Sequence, residues 1–156
     1  MSNLIEDQQR IINTLEGFIN YAKFSTTFEA PGKDRNYNIK VSLLWEGEYD
    51  DIIVQSGKVL DPLDNMSRAI WMKIETLVQQ IDAIDDQVFK DDNNPTNHAF
   101  LKGVLRMILR KLDSTTITFI GEMIHLITQR RNSFVFDRSE EIKKKFAEKI
   151  MTLEPL

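Results

Sequence analysis

The stretch from Phe100 to Asn132 constrains the fold more than any other part of the chain, because it is apolar on most of its helical circumference. Both of its halves, residues 100–112 and 114–132, repeat apolar residues at spacings of three and four. A helix that is apolar nearly all round is usually covered by other elements on several sides. The pattern therefore predicts a central helical hairpin. Its residues expected to be nearly fully buried are Ile108, Leu109, Ile120 and Ile124.

Two kinds of periodicity precede this hairpin. A first helix is expected from about Leu4 to Phe24, where apolar residues form an amphipathic stripe. Pro31-Gly32 then marks a turn, and the alternation from Tyr37 to Leu43 predicts a half-buried strand. A turn over Trp45–Tyr49 and the β-branched run Ile52–Val54 complete a predicted β-hairpin.

A long helix is expected after this hairpin, beginning at Asp61-Pro62, since Asp is a good N-cap and Pro suits the first helical position. Apolar residues from Leu63 to Val88 follow at steps of three and four, close to a heptad seam. The pattern leaves two interpretations open, a long bundle helix and the seam of a dimer. Because the seam is longer than one neighbouring helix would cover, we expect a homo-oligomer.

The remaining elements are helical. The central hairpin should be capped at Thr96 or Asn97 and its second arm at Asp113 or Ser114. A last helix should begin near Asp137 or Ser139. Together the elements predict a mainly α fold, a bundle of four to five helices with a small β-hairpin inserted between helices one and two. We expect one helix-rich domain over residues 1–156.

Composition argues against several classes of function. The chain has no cysteine, and its two histidines, His98 and His125, lack zinc-ligand spacing. No phosphate-binding glycine motif is present, and the acidic loop at Asp92–Pro95 lacks the glycine of a calcium loop. We therefore expect no cofactor, no metal and no enzyme activity, although a hydrolase with paired carboxylates stays open. With no apolar run near the ~20 residues of a membrane span, a cytoplasmic protein is expected.

Charge is unevenly distributed along the chain. Residues 1–100 contain 9 basic and 17 acidic side chains, whereas residues 101–156 contain 11 and 7. Solvated helix faces are one interpretation, and a two-signed surface that steers a partner is the other. Frequent Ile, Asn and Lys are typical of AT-rich genomes, such as those of phages, other mobile elements or low-GC bacteria.

The expected function is non-enzymatic binding of another protein through an acidic surface, as an adaptor, chaperone or inhibitor. An aromatic residue among charges of one sign is a common form of protein-binding hot spot. The predicted partner-binding residues, all in the turn of the β-hairpin, are Trp45, Glu46, Glu48, Tyr49, Asp50 and Asp51. The alternative role for Trp45 is to anchor the hairpin to the helices.

A short motif from Arg130 to Phe136 resembles the end of a helix in HEPN ribonuclease domains, which are helical bundles. Their signature is Arg, often followed by Asn, then four to six residues and a His. Arg131 and Asn132 match, whereas Phe136 stands where the family has its His. As the alternative function, the resemblance implies an inactive HEPN-like domain that binds RNA or a nuclease partner through Arg130, Arg131 and Asn132. A pI near 5.2 argues against nucleic acid.

Overall fold

The computed structural model describes residues 2–44, 46–59 and 65–156, which contain six helices and four strands. In chain order these are α1 Ser2–Thr14, α2 Glu16–Ile19, β1 Ser25–Pro31, β2 Asn36–Ser42, α3 Glu46–Val59, α4 Asn65–Gln80, β3 Ile81–Ile84, β4 Gln87–Val88, α5 Pro95–Lys111 and α6 Ser114–Ile150. The chain divides into two compact units. The terminal unit comprises Met1–Lys23 with Gln129–Leu156, and the middle unit comprises Phe24–Thr128.

The middle unit is built on a four-stranded antiparallel sheet with the strand order β1-β2-β3-β4. Phe28 of β1 pairs with Ile39 of β2, which in turn pairs with Ile84 of β3. The turn between β1 and β2 requires Gly32, because a Cβ there would lie 2.5 Å from the backbone oxygen of Arg35. Glycine thus sets the tight return of the chain that makes this hairpin possible.

One face of the sheet forms the core together with α4, α5 and α6. Phe28 and Phe119 contact edge to face across this layer, with ring centroids 6.5 Å apart. The buried apolar cluster is Phe28, Ala30, Ile39, Val41, Leu43, Leu77, Val78, Ile81, Phe89, Leu105, Leu109, Ile117, Ile120 and Ile124. On the other face, polar residues such as Thr27 and Lys40 are exposed. This alternation is what a sheet covered on one side requires.

The predicted central hairpin is confirmed as α5 and α6. Leu109, Ile120 and Ile124 are buried, whereas Ile108 is only half-buried. The Asp113 carboxylate accepts a hydrogen bond from the Thr116 amide at 2.7 Å and so caps α6, as predicted.

Two details of this hairpin were predicted wrongly. The cap of α5 is Asn94 rather than Thr96 or Asn97, and Pro95 occupies the first helical position. The second arm does not end at Asn132, since α6 continues to Ile150 with no separate last helix. The physical reason is that neither Gly nor Pro occurs between residues 122 and 154, so nothing in the sequence breaks the helix.

The predicted helical bundle with one inserted hairpin is wrong, because the protein has a mixed α/β arrangement around a four-stranded sheet. The strand Ser25–Pro31 was missed, and Ile52–Val54, predicted as a strand, lies inside α3. The long helix predicted to reach Val88 ends at Gln80, and the chain then forms β3 and β4. The prediction of a single domain stays a prediction.

Tertiary contacts explain why α3 is a helix. Ile52 and Ser56, four residues apart, are both buried. The Ser56 hydroxyl donates to the Ile53 carbonyl at 2.6 Å and accepts from Nε of Arg68 on α4 at 2.8 Å. This helical spacing satisfies the packing against α4, and packing outweighs the weak strand preference of β-branched residues.

The end of α4 is also decided by distant residues. From Ile81 onward the chain pairs with β2. Residues 81–84 contain three apolar residues around the buried Asp82, and so short a stretch suits a strand as well as a helix. Lys102 of α5 donates from Nζ to the carbonyls of Val78 and Ile81, both at 2.9 Å. These are carbonyls that the end of a helix otherwise leaves without partners.

The predicted dimer seam therefore does not exist as one continuous helix from Leu63 to Val88. Leu63 itself and the predicted cap at Asp61-Pro62 lie outside the described residues. The first predicted helix is likewise divided, since α1 ends at Thr14 and α2 covers only Glu16–Ile19. Among the described residues, no helix combines the length and the apolar character that crossing a membrane requires.

Candidate functional site

A cleft of about 480 Å³ lies between α3, α4 and α5 in the middle unit. Its lining residues are Glu48, Asp51, Ile52 and Gln55 of α3, Trp71, Glu75 and Gln79 of α4, and Arg106 of α5. Six of these eight side chains are polar or charged, and Trp71 is the one aromatic residue among them. This volume lies within the range of clefts that bind ligands in proteins.

The spacing of residues along each helix brings the lining together. On α3, Glu48, Asp51 and Gln55 are separated by three and four residues, which places them on one helical face. On α4, Trp71, Glu75 and Gln79 repeat at intervals of four. The contact of Ser56 with Arg68 described above holds the first of these faces against the second helix.

An ion pair between α4 and α5 gives the cleft a fixed element. Arg106 donates from Nη2 and Nε to the two carboxylate oxygens of Glu75, at 2.8 and 2.9 Å. Gln79 donates a further hydrogen bond to Glu75 at 3.1 Å. The Glu75 side chain is only 12% exposed and that of Arg106 is 32% exposed. A bidentate pair of this kind holds both side chains in one geometry.

The pair remains ionised at neutral pH. Burial by itself raises the pKa of Glu75, but the hydrogen bonds from Arg106 and Gln79 and the charges of Arg106 and Arg110 outweigh it. The pKa of Glu75 is therefore lower than its usual value. The hydrogen bond to Glu75 in turn raises the pKa of Arg106. The carboxylates of Glu48 and Asp51, which also line the cleft, are exposed to solvent.

A second recess of about 330 Å³ adjoins the cleft on α4. It shares Trp71, Glu75 and Arg106 with the cleft and adds Ser67, Ile70, Ile74 and Arg110. Its own residues are more apolar, and Ile70 is 60% exposed. Because they share these residues, the cleft and the recess form one continuous surface. This surface is acidic along α3, and beyond Trp71 it is apolar with Arg110 at its edge.

The structure separates the predicted partner-binding residues into three groups. Glu48 and Asp51 line the cleft, whereas Tyr49 and Asp50 are exposed on α3 but do not line it. Trp45 lies outside the described residues, as does the side chain of Glu46, the first residue of α3. The predicted acidic turn is therefore wrong, since residues 46–51 form the beginning of a helix.

The sequence analysis missed six of the eight residues that line the cleft, among them Trp71, Glu75 and Arg106. A signal existed for α4, where Trp71, Glu75 and Gln79 recur at intervals of four beside the apolar stripe. No local signal could have paired Glu75 with Arg106, because 31 residues separate them in the chain.

The residues of the HEPN resemblance lie elsewhere, in the terminal unit. Arg130, Arg131 and Asn132 are in the interior of α6, so the expected position at the end of a helix is wrong. Arg130 and Asn132 are exposed, and Arg131 is half-buried with its Nε donating to the Asn132 side chain at 3.4 Å.

A further group of carboxylates, within residues 82–92, is largely engaged in contacts within the fold. Asp82 is buried, accepts a hydrogen bond from Ser42, and lies 3.7 Å from Nζ of Lys90. Asp85 accepts from Arg35 at 2.7 Å. Within residues 2–44, 46–59 and 65–156, no group of three or more His, Asp or Glu side chains is placed to hold a metal ion.

Comparison with known proteins adds no assignment. No family model matches the chain, and no curated protein or solved structure is significantly similar to it. A function must therefore be inferred from the geometry and charge of the cleft.

Proposed function

We propose that the protein is a non-enzymatic binding module whose cleft between α3, α4 and α5 takes a basic segment of a partner protein. The observation that carries this proposal is the presence of two exposed carboxylates, Glu48 and Asp51, in the same cleft as the ring of Trp71. A Lys or Arg side chain is attracted both by carboxylates and by the face of an indole ring. The cleft therefore has the chemistry that recognises a cationic side chain.

The polarity of the lining favours a protein segment over a small apolar ligand. Small-molecule pockets are lined mostly by hydrophobic and aromatic residues. Here most of the lining is charged or amide-bearing, with one aromatic anchor, which is the composition of a protein-binding hot spot inside a polar rim. An extended segment that passes Trp71 would also reach the exposed Ile70 in the adjoining recess.

The ion pair of Glu75 with Arg106 has a structural part in this proposal, because it holds the binding site in place. It fixes α4 against α5 beside Trp71, so the ring is positioned before a partner arrives. A site formed in advance loses less conformational entropy on binding. A module that covers a basic surface of its partner in this way would act as an adaptor, a chaperone or an inhibitor.

Charge reversal on α3 tests the proposal, with a control on the same helix. Fluorescence anisotropy would measure the binding of labelled Lys/Arg-rich peptides to the wild type, to a variant combining Glu48→Lys with Asp51→Lys, and to Asp50→Lys. We expect the double reversal to weaken binding by about tenfold or more, and Asp50→Lys, which lies outside the cleft, to weaken it by less than about twofold. Affinity capture from the native host with mass spectrometry would then identify the partner.

Two results would contradict the proposal. One is equal binding of Glu-rich and Lys/Arg-rich peptides by the wild type. The other is a loss of binding free energy per reversed residue that is the same for Asp50→Lys and for the double reversal, because that would locate the effect in net charge rather than in the cleft. Trp71→Ala separates the contribution of the ring from that of the carboxylates, and it should weaken binding at high salt, where surface charges are screened.

A further inference from the structure

The terminal unit exposes most of its large apolar side chains. On α1, α2 and the residue between them, seven such residues are 42–77% exposed: Leu4, Ile5, Ile11, Ile12, Leu15, Phe18 and Ile19. On the part of α6 after Gln129, four more are 46–63% exposed: Phe136, Ile142, Phe146 and Ile150. Soluble monomers rarely leave contiguous apolar patches larger than a few hundred Å² uncovered.

On each helical segment the exposed apolar residues follow the helical repeat. Leu4, Ile11 and Leu15 recur at steps of seven and four, and Ile142, Phe146 and Ile150 recur at steps of four. The opposite face of α1 is polar, where Gln9 donates a hydrogen bond to Asn13 at 2.8 Å. Both segments are therefore amphipathic helices of the kind that bury one side in a helix bundle.

We infer that a second copy of this chain covers these faces, so that the protein forms a dimer through its terminal units. At about 200 Å² per large apolar residue, the exposed fractions correspond to on the order of 1,000 Å² of apolar surface. A stable interface takes roughly 800 Å² from each partner, so the terminal unit alone offers enough surface. Two amphipathic segments from each copy supply the four helices that enclose a bundle core.

Charge on the two segments favours a copy of the chain as the occupant. Residues 2–16 carry three acidic side chains and one basic side chain, whereas residues 129–150 carry seven basic and four acidic ones. The acidic segment of one copy therefore complements the basic segment of the other. In a two-fold dimer this contact occurs twice, because each copy contributes both partners.

The composition of α1 argues against a membrane surface as the occupant of its apolar face. Helices that lie in a membrane interface are rich in Lys and Arg on their polar face. The charged residues of α1 are Glu6, Asp7 and Arg10, so the helix is net acidic and would be repelled by anionic lipid.

Light scattering coupled to size exclusion tests the dimer with the full chain at about 50 μM. We expect the wild type to have twice the chain mass of 18.2 kDa. A variant combining Ile11→Asp with Phe18→Asp should elute as a monomer, and Phe146→Asp, on the other segment, should do the same. The matched control combines Gln9→Asp with Asn13→Asp, two exposed positions on the polar face of α1, and should remain a dimer.

The middle unit provides an internal check that each variant is folded, because Trp71 belongs to it and its fluorescence reports unfolding. A monomeric wild type would overturn the inference. So would a dimeric variant with Ile11→Asp and Phe18→Asp, or a control that dissociates equally. The cleft lies in the middle unit, so peptide binding by a monomeric variant would separate failure of the dimer from failure of the proposed function.

Discussion

Replacement of Lys102 by Met tests the polar contact that ends α4. Lys102 is only 4% exposed, and its Nζ donates to the carbonyls of Val78 and Ile81, both at 2.9 Å. Methionine fills a similar volume but donates no hydrogen bond, so both carbonyls lose their partner. Leaving a buried acceptor unsatisfied costs about 1–3 kcal/mol for each group.

A second effect opposes this loss. Burial lowers the pKa of Lys102 to about 8 even though Asp82 raises it, so the charged side chain is held in the folded protein at a cost. Methionine removes that cost together with the hydrogen bonds. The two lost carbonyl contacts cost about 2–6 kcal/mol together, and removal of the unfavourable charge burial offsets about 3 kcal/mol of this at pH 7. We therefore expect the free energy of unfolding at pH 7 to change by no more than about 3 kcal/mol.

The pH dependence of the loss is the decisive measurement. The usual pKa of 10.5, which applies to the unfolded chain, is higher than the folded value of about 8. Between these values the unfolded chain binds more protons, so the wild type gains stability as pH rises. The methionine variant lacks this gain. The cost of the substitution should therefore grow by about 1–2 kcal/mol between pH 7 and pH 9.5, after allowance for solvent screening.

Urea denaturation at both pH values would measure this, with the wild type, Lys102→Met and the control Lys111→Met at one protein concentration. Lys111 is exposed at the end of the same helix. Charged groups distant from Lys102 contribute equally to the three proteins, so their contributions cancel in the differences. A cost for Lys102→Met that stays constant or falls at pH 9.5, or a control with the same trend, would refute the reasoning.

Three further substitutions, one of them a control, test local features of the middle unit. Gly32→Ala should lower stability by about 1–3 kcal/mol in thermal unfolding, because the new Cβ would lie 2.5 Å from a backbone oxygen. Gly103→Ala, where nothing lies within 4 Å, should not lower it, and a destabilised Gly103 variant would contradict this explanation. Because the folded pKa of Glu75 is depressed, its stabilisation is complete above pH 4.5 and is lost as pH falls through the lower folded value. Glu75→Gln should thus reduce the acid sensitivity seen in denaturant titrations below pH 4.5, and unchanged sensitivity would show that Glu75 does not contribute.

Where a local pattern had one structural solution, sequence reasoning identified the element correctly. The apolar repeats of residues 100–132 predicted the hairpin of α5 and α6, and the alternation of residues 37–43 predicted β2. The Asp113 cap was also correct, since it depends only on an amide three residues away. In each case the deciding interactions lie within about one helical turn or one strand.

The cleft was predicted only in part. Glu48 and Asp51 were selected for their charge, and they line it, although the turn proposed to carry them is a helix. Asp50 carries the same charge, and Tyr49 was predicted with it, but both lie off the lining because of the helical rotation along α3. The helical conformation of α3 therefore decides which acidic residues line the cleft. The sequence pattern had wrongly predicted a turn and a strand there.

The amino-acid sequence by itself identified part of the core, because an apolar side chain that packs inside the fold avoids water in a helix and in a strand alike. Ile81 is such a residue, predicted for a helix and found fully buried in β3. Only the tertiary structure decided which conformation buried it, since pairing with Val41 and capping by Lys102 come from distant parts of the chain. The same holds for Glu75 and Arg106, whose contact exists because α4 and α5 pack together. The periodicity of apolar residues indicates which side of an element faces the core. Which strand or side chain an element contacts depends on interactions that form only when the whole chain has folded.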